Sequence, residues 1–546
     1  MTAPGRASVE PDLVADLVAT DGSAERSTDG STEAPDPGDG TPADRSSTVV
    51  RATRVFDRRP RLAVVILVAA YAVSRIVAAV AGVRYDASVL RGTPLTDMWQ
   101  LLDVRLLQHH LVTSVWHLGM QPPLFNLYAG VLLKLPVGLR SPVEVAVALG
   151  LGLTIVCSTY GLLVALRVPR WASLVVTLVA VVASPAYLLY ENWFDYAYPT
   201  AAAGTFGAWC LARFLATRRT WFGVGFFGAY ATVLLLSSTY QLVWFLAAGA
   251  VVAVVLRHHW RTVLVAAALP LLVVGTWTVK DQVQFHTTTT SDWLGMNLAR
   301  DVLFRAPPDQ VAALQRQGRL GPLASVIPFS APEVYSPRYV RAVPDPVAAV
   351  GAFHKADGAT NFNNPLYARI SSQYLHEDLT WIQAHPGAYV DDVLNSAGVW
   401  VVGTDQNFTD STNWPALRSY ARLYDRAVEW QPTQDPAPGF VVFARGWHRP
   451  AWLSWQAILV TVLAVGATPV LVWRRRRTDP AVAGTLAVLW VTTTYAFATT
   501  TLLEIGENER FRSELGPVPT VLAVVVVTAV VRWLWGLRGR DGTARA

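Results

Sequence analysis

The sequence predicts an all-α polytopic membrane bundle of about ten transmembrane helices, with an extracytoplasmic domain that is mixed α/β or mainly helical. Composition is the first support: 52% of the 546 residues are hydrophobic and 15% are charged, whereas about a quarter are charged in an ordinary soluble protein. The second is the recurrence of long apolar runs. The third is the net charge of +6, which lies in short basic clusters beside those runs. Such clusters indicate orientation in a lipid bilayer, not a nucleic-acid partner.

The chain is predicted to begin with a disordered cytoplasmic tail, residues 1–57. This stretch is rich in Ser, Thr, Pro, Gly and Asp and has few large apolar residues, so it cannot bury a core. The first apolar run, residues 62–82, follows Arg58, Arg59 and Arg61. This order predicts a membrane anchor whose N-terminus is cytoplasmic.

Nine further apolar runs are candidate spans: residues 143–166, 172–189, 200–215, 222–236, 242–256, 263–279, 452–472, 482–502 and 518–535. Six basic clusters lie before the first run, in every second connection between runs, and after the last run: residues 58–61, 167–170, 218–219, 257–261, 474–477 and 538–540. With ten spans, all six lie on the cytoplasmic side, as the positive-inside rule requires.

If the apolar run 122–139 also crossed the membrane, the later basic clusters would move to the side opposite the first cluster. This run contains prolines, glycines and Lys134, so it is predicted to be a juxtamembrane or re-entrant helix on the outer face. The layout therefore has an N-terminal transmembrane module (58–279) with a first extracytoplasmic loop (83–141). An extracytoplasmic soluble domain (280–450), C-terminal spans (451–537) and a cytoplasmic tail (538–546) follow.

The soluble domain has clear helix signals. Asn364 is a candidate cap, with Pro365 at the first position of a helix that runs through Trp381, and a second helix is expected to begin at Pro386. Residues 439–444 have the pattern of a strand. The two cysteines of the chain lie inside apolar runs, so no disulfide framework is predicted.

The first loop is too polar and aromatic to be a simple connector. Its aspartates Asp86, Asp97 and Asp103 are candidate catalytic acids, although each alone could be a solvated carboxylate. Asp97 and Asp103 are six residues apart and would not share one helix face. His109 and His110 are adjacent, which is poor spacing for metal ligands.

Two other segments share the predicted outer face with this loop. Glu191 and Asn192 follow the third span directly. Arg510 and Arg512 lie on the side that orientation signals avoid, which favours substrate contact. They flank Phe511, so on a helix they diverge, whereas in an extended segment both could point one way. Carboxylates and arginines on one face suit displacement at a lipid-linked phosphate, since a carboxylate can take a hydroxyl proton and a guanidinium or metal can neutralise the departing phosphate.

The order of features resembles the GT-C superfamily of integral membrane glycosyltransferases. The resemblance rests on an acidic first loop, on the step Gln121-Pro122-Pro123-Leu124-Phe125, on Glu191 after the third span, and on a late soluble domain. The segments QPPLFNLYAGVLLKL, YENWFDYAYP and GENERFRSELGP look like those of actinobacterial membrane proteins assigned to this superfamily. The chain departs from the family pattern in two ways: the first loop has no adjacent acidic pair, and Gln precedes Pro-Pro.

The resemblance implies a plasma-membrane glycosyltransferase that moves a sugar from a polyprenyl-phosphate donor to a glycan, lipid or protein acceptor in the cell envelope. Its implied roles, by residue, are the general base (Asp86, then Asp103, then Asp97), a second acid (Glu191), donor-phosphate binding (Arg510, Arg512) and substrate contact (Gln121, Asn192, Glu507, Asn508). An oxygen-rich site for Mg²⁺ or Mn²⁺ stays open as a hypothesis. We expect Asp86 or Asp103, Glu191 and Arg510 to converge on one outward cavity.

Two other classes of function remain. A lipid or solute transporter would show inverted repeats and ionisable residues at mid-membrane, whereas the sequence shows no repeat and its charges lie at span ends. A non-catalytic envelope scaffold would use the soluble domain as a binding surface.

Overall fold

The chain forms an α-helical bundle. The computed structural model describes residues 60–86, 98–335, 350–403, 408, 411–431 and 453–543. Within these residues the regular structure is helical, with isolated bridges at His354–Thr360 and Val402–Leu453 and no β-strand. The predicted tail, Asp97 and the predicted strand at 439–444 lie outside the described residues.

In chain order the α-helices are α1 (Pro60–Val80), α2 (Val104–His109), α3 (Leu111–Trp116), α4 (Pro123–Leu133), α5 (Val137–Ala165), α6 (Arg170–Thr177), α7 (Pro185–Glu191), α8 (Ala197–Thr217), α9 (Thr220–Leu236), α10 (Leu242–Val255), α11 (Trp260–Phe285), α12 (Leu294–Asp301), α13 (Pro308–Arg316), α14 (Leu366–Ala384), α15 (Pro386–Trp400), α16 (Trp414–Tyr424), α17 (Trp455–Thr461), α18 (Thr468–Arg475), α19 (Pro480–Leu503), α20 (Asn508–Glu514) and α21 (Val518–Thr543). π-Helical turns continue α6 (Leu178–Val182), continue α16 (Asp425–Glu429) and join α17 to α18 (Val462–Ala467). Short 3₁₀ turns occupy Arg257–His259, Pro322–Ser325 and Pro332–Val334.

Among the described residues, six helices are long and apolar enough to cross a membrane: Arg61–Val80, Val137–Ala165, Arg257–Phe285, Trp455–Arg475, Pro480–Leu503 and Val518–Trp535. Each coincides with a span predicted from the sequence. A seventh span is available if the pair Arg170–Val182 and Pro185–Glu191, bent by 56°, counts as one. The protein is therefore a multi-pass membrane protein.

Helices α9 and α10 are apolar but short, with 17 and 14 residues. At a rise of about 1.5 Å per residue, neither reaches the roughly 30 Å of a bilayer core. Helix α4 has 11 residues, about 16 Å, and is too short to span. Arg140 donates hydrogen bonds to the carbonyls of Leu133 and Leu135 near the end of α4, where the chain turns into α5.

Helix α8 lies at the centre of the bundle and packs against α5, α9, α19 and α20. Part of its surroundings is an aromatic core in which Tyr230 stacks on Trp244 with ring centroids 4.8 Å apart. The indole of Trp244 donates to the Thr492 hydroxyl of α19 at 3.1 Å. These contacts fix α19, and with it the short helix α20 that follows.

The part of the soluble segment that the structure describes is helical, with a core of its own between α12, α13 and α14. Asn364 accepts the Leu366 N–H at 2.8 Å, so it caps α14 as the sequence indicated. Helix α15 begins at Pro386, also as predicted. A Cβ at Gly295 would overlap the Ser371 carbonyl, so only glycine allows α12 to approach α14 this closely.

Candidate functional site

A cavity of about 550 Å³ lies at the end of the bundle where α7, α19 and the first loop meet the segment around α12. Its lining residues are Met98, Trp99, Gln100, Gln121, Trp193, Asp195, Tyr196, Ser238, Trp293, Asn297, Arg300, Phe304, Ile327, Pro328, Phe329, Glu504, Glu507, Arg510 and Phe511. The lining combines a charged side, formed by Glu504, Glu507 and Arg510, with aromatic rings. Concave sites that combine apolar walls with a few convergent polar groups are the usual form of a binding site.

The charged side depends on a tight turn between α19 and α20. Gly506 has a φ of 124°, a conformation that a side chain at this position would strain. Asn508 stabilises the turn because its side chain accepts the Gly506 N–H at 3.1 Å and donates to the carbonyls of Thr500 and Glu504. The turn directs Glu504, Glu507 and Arg510 into the cavity wall.

Arg510 is the central cation of this wall. Its side chain is 6% exposed, and its Nη2 lies 2.6 Å from Glu507 Oε2. Its Nη1 lies 3.9 Å from Asp195 and 3.7 Å from Glu514. Its Nε and Nη1 atoms are buried and have no hydrogen-bond partner among the described residues. A buried guanidinium with free donors is suited to bind an anion, since charge-assisted hydrogen bonds to an oxyanion satisfy both.

The carboxylates around Arg510 differ in protonation. Burial raises the pKa of Glu504 to about 7, against the charge of Arg300, which lies 3.3 Å away. Burial also acts on Glu507, but Arg510 and Arg300 outweigh it and lower the Glu507 pKa. Burial raises the pKa of Asp195 in spite of Arg510. The wall thus holds one ionised carboxylate on the arginine and one carboxyl group that titrates near neutral pH.

The first loop reaches the cavity through two short pieces, Met98–Gln100 and Gln121. Lys355 Nζ donates to the Met98 carbonyl at 3.0 Å, and Asn126 Nδ2 donates to the Gln100 carbonyl at 2.9 Å. Gln121 is 4% exposed, and its Nε2 has no hydrogen-bond partner in the described part of the chain. It adds a second unsatisfied donor beside the cavity.

Of the sequence-predicted site residues, Gln121, Glu507 and Arg510 line this cavity. Asn508 is fully buried below it and holds the turn. Asp97 lies outside the described residues, although its chain neighbour Met98 is in the lining. Their chemical roles stay predictions.

Asp86, Asn192 and Asp103 are not among the residues that line the cavity. The Asp86 N–H donates to the Asn192 carbonyl at 2.9 Å, so these two residues join the end of α1 to the end of α7. Asn192 Nδ2 donates to the Leu188 carbonyl. Asp103 accepts the N–H groups of Arg105 and Ala356, capping α2 and contacting the soluble segment. The two first-loop aspartates that are described therefore do not line the cavity with Arg510, contrary to the expected convergence.

Glu191 also lies away from the cavity, which corrects the expected convergence again. It is 3% exposed, and its carboxylate accepts from Arg75 of α1 at 2.8 Å. The hydroxyls of Tyr71 and Tyr198 donate to the same carboxylate at 3.0 and 2.8 Å. A carboxylate with these partners ties α1, α7 and α8 together.

Arg512 diverges from Arg510 because α20 is helical. Its Nη1 and Nη2 donate to the carbonyls of Trp400 and Val402, each at 2.6 Å. It therefore satisfies carbonyl groups at the end of α15. The two guanidinium groups therefore do not meet in this cavity, since Arg510 lines it and Arg512 does not.

Three charged lining residues were missed as site residues at the sequence level: Asp195, Glu504 and Arg300. Asp195 and Glu504 did carry a signal, because each lies in a polar segment directly after an apolar run. Arg300 carried none, because it belongs to a helix of the soluble segment that only folding brings to the membrane module.

Within the described residues, no group of three His, Cys, Asp or Glu side chains is placed to hold a metal ion. No known protein-family model matches the chain, and no curated protein matches it. The geometry alone therefore defines what the cavity can do. It can bind an anion at Arg510, and it can accept or return a proton at Glu504.

Proposed function

We propose that the protein transfers a glycosyl group from a polyprenyl-phosphate donor to a hydroxyl group of a cell-envelope acceptor in this cavity. The observation that carries the proposal is Arg510: it is buried beside the cavity and charged, and its Nε and Nη1 groups make no hydrogen bond within the described residues, the carboxylates nearest to Nη1 being 3.7 and 3.9 Å away. The phosphate of a lipid-linked sugar supplies the oxygens that such donors require.

In the proposed reaction, Glu504 takes the proton of the acceptor hydroxyl as that oxygen attacks the anomeric carbon of the donor. The bond between the anomeric carbon and the phosphate oxygen breaks, and polyprenyl phosphate leaves with the bonding electron pair. A base whose pKa of about 7 lies near the working pH combines a useful ionised fraction with sufficient basicity. Glu504 therefore replaces Asp86 as our first choice for this role.

The other polar groups would serve the departing phosphate. Arg510 Nε and Nη1 would donate to its oxygens, and Gln121 Nε2 would add a further donor. Glu507, at 2.6 Å from Arg510 Nη2, orients the guanidinium. Asp195 Oδ1 accepts the Ala197 N–H at 2.7 Å, which holds the start of α8 against this wall.

The same proposal includes the membrane arrangement. We infer about ten spans in the plasma membrane, in which the short helices α9 and α10 also cross because the bilayer thins locally around them. Both termini are then cytoplasmic, and the cavity and soluble segment are extracytoplasmic. The support is the position of the six basic clusters: ten crossings place all of them on the same side of the membrane. A polyprenyl donor would then reach the cavity from the outer leaflet.

The proposal is tested with the full chain in phospholipid nanodiscs. Polyprenyl phosphates that carry a radiolabelled hexose or pentose are the donors, and envelope extract from a strain lacking the protein is the acceptor. We expect label transfer from at least one lipid-linked donor. Arg510→Met should lower kcat/KM by about 100-fold or more, as loss of a transition-state charge contact does.

The matched control is Arg532→Met on α21. Arg532 is exposed and donates to the Arg167 carbonyl, so the same charge change there should leave the transfer rate unchanged. Label transfer from a nucleotide sugar without lipid phosphate, or an Arg510→Met protein that is folded and fully active, would contradict the proposal.

A further inference from the structure

Part of the cavity lining is a cluster of aromatic rings from separate parts of the chain. Trp99 comes from the first loop, Trp293 from the start of α12, and Phe329 from the turn after the 3₁₀ segment. The Trp99 ring stacks on Phe329 with centroids 5.2 Å apart and an interplanar angle of 28°. Trp293 meets Phe329 edge to face at 5.2 Å.

Part of the Trp99 ring is left uncovered by these rings. Its centroid is 5.2 Å from that of Phe329 and 4.7 Å from that of Phe362. The two phenyl centroids are 5.9 Å from each other, so the directions from Trp99 to them are less than a right angle apart. The two phenyl rings therefore cover one part of the surroundings of the indole and not all of it. Trp99 is 41% exposed and lines the cavity.

The backbone that carries Trp99 is held on both sides. Asn363 Nδ2 donates to the carbonyls of Trp99 and Leu101 at 3.3 and 3.0 Å, and Lys355 binds the preceding carbonyl of Met98. An exposed tryptophan in a loop would otherwise sample many conformations. This one is anchored by the soluble segment, so the ring is preorganised.

Phe329 has a strained backbone conformation. Its φ is 60°, a left-handed conformation that is rare and strained for a bulky residue. The following residue is fixed by two hydrogen bonds, from the Ser330 N–H to the Tyr335 hydroxyl and from the Tyr367 hydroxyl to the Ser330 carbonyl. Retaining such strain in a cavity wall points to a function for the position of this ring.

We propose that the acceptor is a carbohydrate and that one of its rings stacks on the exposed part of the Trp99 ring. This inference rests on the proposed function and adds the acceptor class to it. A sugar ring has an apolar C–H face, which suits an aromatic platform, and a rim of hydroxyls, which suits polar groups. The cavity offers both: the rings of Trp99 and Phe329, and the polar groups of Asn297, Arg300 and Glu504, with the Arg300 guanidinium 5.8 Å from the centre of the Phe329 ring. An acyl chain would leave these polar groups unpaired.

The test measures binding of soluble sugars to the full chain in nanodiscs without any lipid donor. The probes are methyl glycosides of hexose and pentose disaccharides, detected by saturation-transfer NMR and titrated for Kd. Trp99→Ala should weaken the best-bound glycoside by about 10-fold or more, and Trp99→Phe should retain affinity within about threefold. Trp116→Ala is the control, because Trp116 is 45% exposed on α3, outside this cavity, and its replacement should change nothing.

Equal sugar affinity in wild type and Trp99→Ala, or no binding of any glycoside to the wild type, would overturn the carbohydrate assignment. A lipid or peptide acceptor would then account for the site. Such a result leaves the donor side standing, because label transfer and its dependence on Arg510 are measured separately. Conversely, sugar binding at Trp99 without transfer from any lipid-linked donor would reject the proposed function and keep the subsite.

Discussion

Arg510 of α20 and Glu507, the residue that precedes this helix, form an ion pair of 2.6 Å. The Nε and Nη1 groups of the arginine make no hydrogen bond within the described residues. The pair has two opposing effects on a phosphate. It orients the guanidinium, and it neutralises part of the charge that would attract the anion.

Glu507→Gln should therefore separate binding from turnover. With one negative charge removed, polyprenyl phosphate should bind about fivefold more tightly, roughly 1 kcal/mol. The kcat for transfer should fall because the guanidinium loses its orienting partner. Kd by titration in nanodiscs and kcat by label transfer give the two values. Glu507→Asp keeps the charge and should bind near the wild-type Kd, and weaker phosphate binding by Glu507→Gln would speak against this role.

The proposed base gives a pH dependence. Glu504 must be ionised to accept a proton, so kcat/KM should rise with pH through about 7 and then level off. Glu504→Gln should lower the rate by about 10²- to 10⁴-fold. Arg300→Met removes the charge that lowers the Glu504 pKa, so the midpoint of the profile should move to higher pH, and Arg300→Lys should restore it. A profile that is flat across neutral pH would exclude Glu504 as the base.

Replacing Glu191 tests whether this residue is part of a structural ion pair or is a catalytic acid. Glu191→Gln leaves the Arg75 charge buried and unpaired, and breaking a buried pair in this way costs about 3–5 kcal/mol. The melting temperature in detergent should therefore fall. In the double variant Arg75→Met/Glu191→Gln, part of this loss should return, and the folded protein should transfer label. A well-folded double variant without activity would restore the catalytic role expected from the sequence.

The soluble segment should lose stability as pH rises. Asp378 is fully buried, and neither of its carboxyl oxygens has a hydrogen-bond partner in the described structure. Burial, with Glu377 and Asp301 nearby, raises the Asp378 pKa. Burial raises the pKa of Asp301 to about 7 and that of Asp392 to about 6, and Arg305 is the cation that contacts both.

A carboxyl group with a raised pKa binds protons more tightly in the folded protein than in the unfolded chain. Its contribution to stability is thus largest below the unfolded pKa, about 4, and is lost as pH rises towards 7. Asp378→Asn should increase the free energy of unfolding at pH 8 by about 1–3 kcal/mol, which would be seen as a higher melting temperature. At pH 4 the melting temperature should change little. Asp391→Asn, at an exposed position on α15, is the control. A stabilising effect of Asp378→Asn that is equal at both pH values would contradict this account.

Chain order and hydrophobicity were enough to predict the helical membrane fold. The long spans could be predicted because their apolar runs are long enough to cross a membrane. Helices α14 and α15 could be predicted because Asn364 and Pro386 are typical residues at the start of a helix. The site was harder, since a polar residue near a span end does not reveal which neighbour it meets. Glu191 meets Arg75, a partner 116 positions earlier. Arg510 and Arg512 could be separated only by knowing that α20 is a helix, and Arg300 reaches the cavity through tertiary packing alone.

The position of the donor phosphate tests the central claim most directly. A cryo-electron microscopy structure of the protein in nanodiscs with saturating polyprenyl phosphate should show the phosphate at about 2.7–2.9 Å from Arg510 Nε and Nη1, with Glu504 in the same wall of the cavity. Phosphate density beside Arg512 or Arg75, or an unoccupied cavity at saturation, would contradict the account.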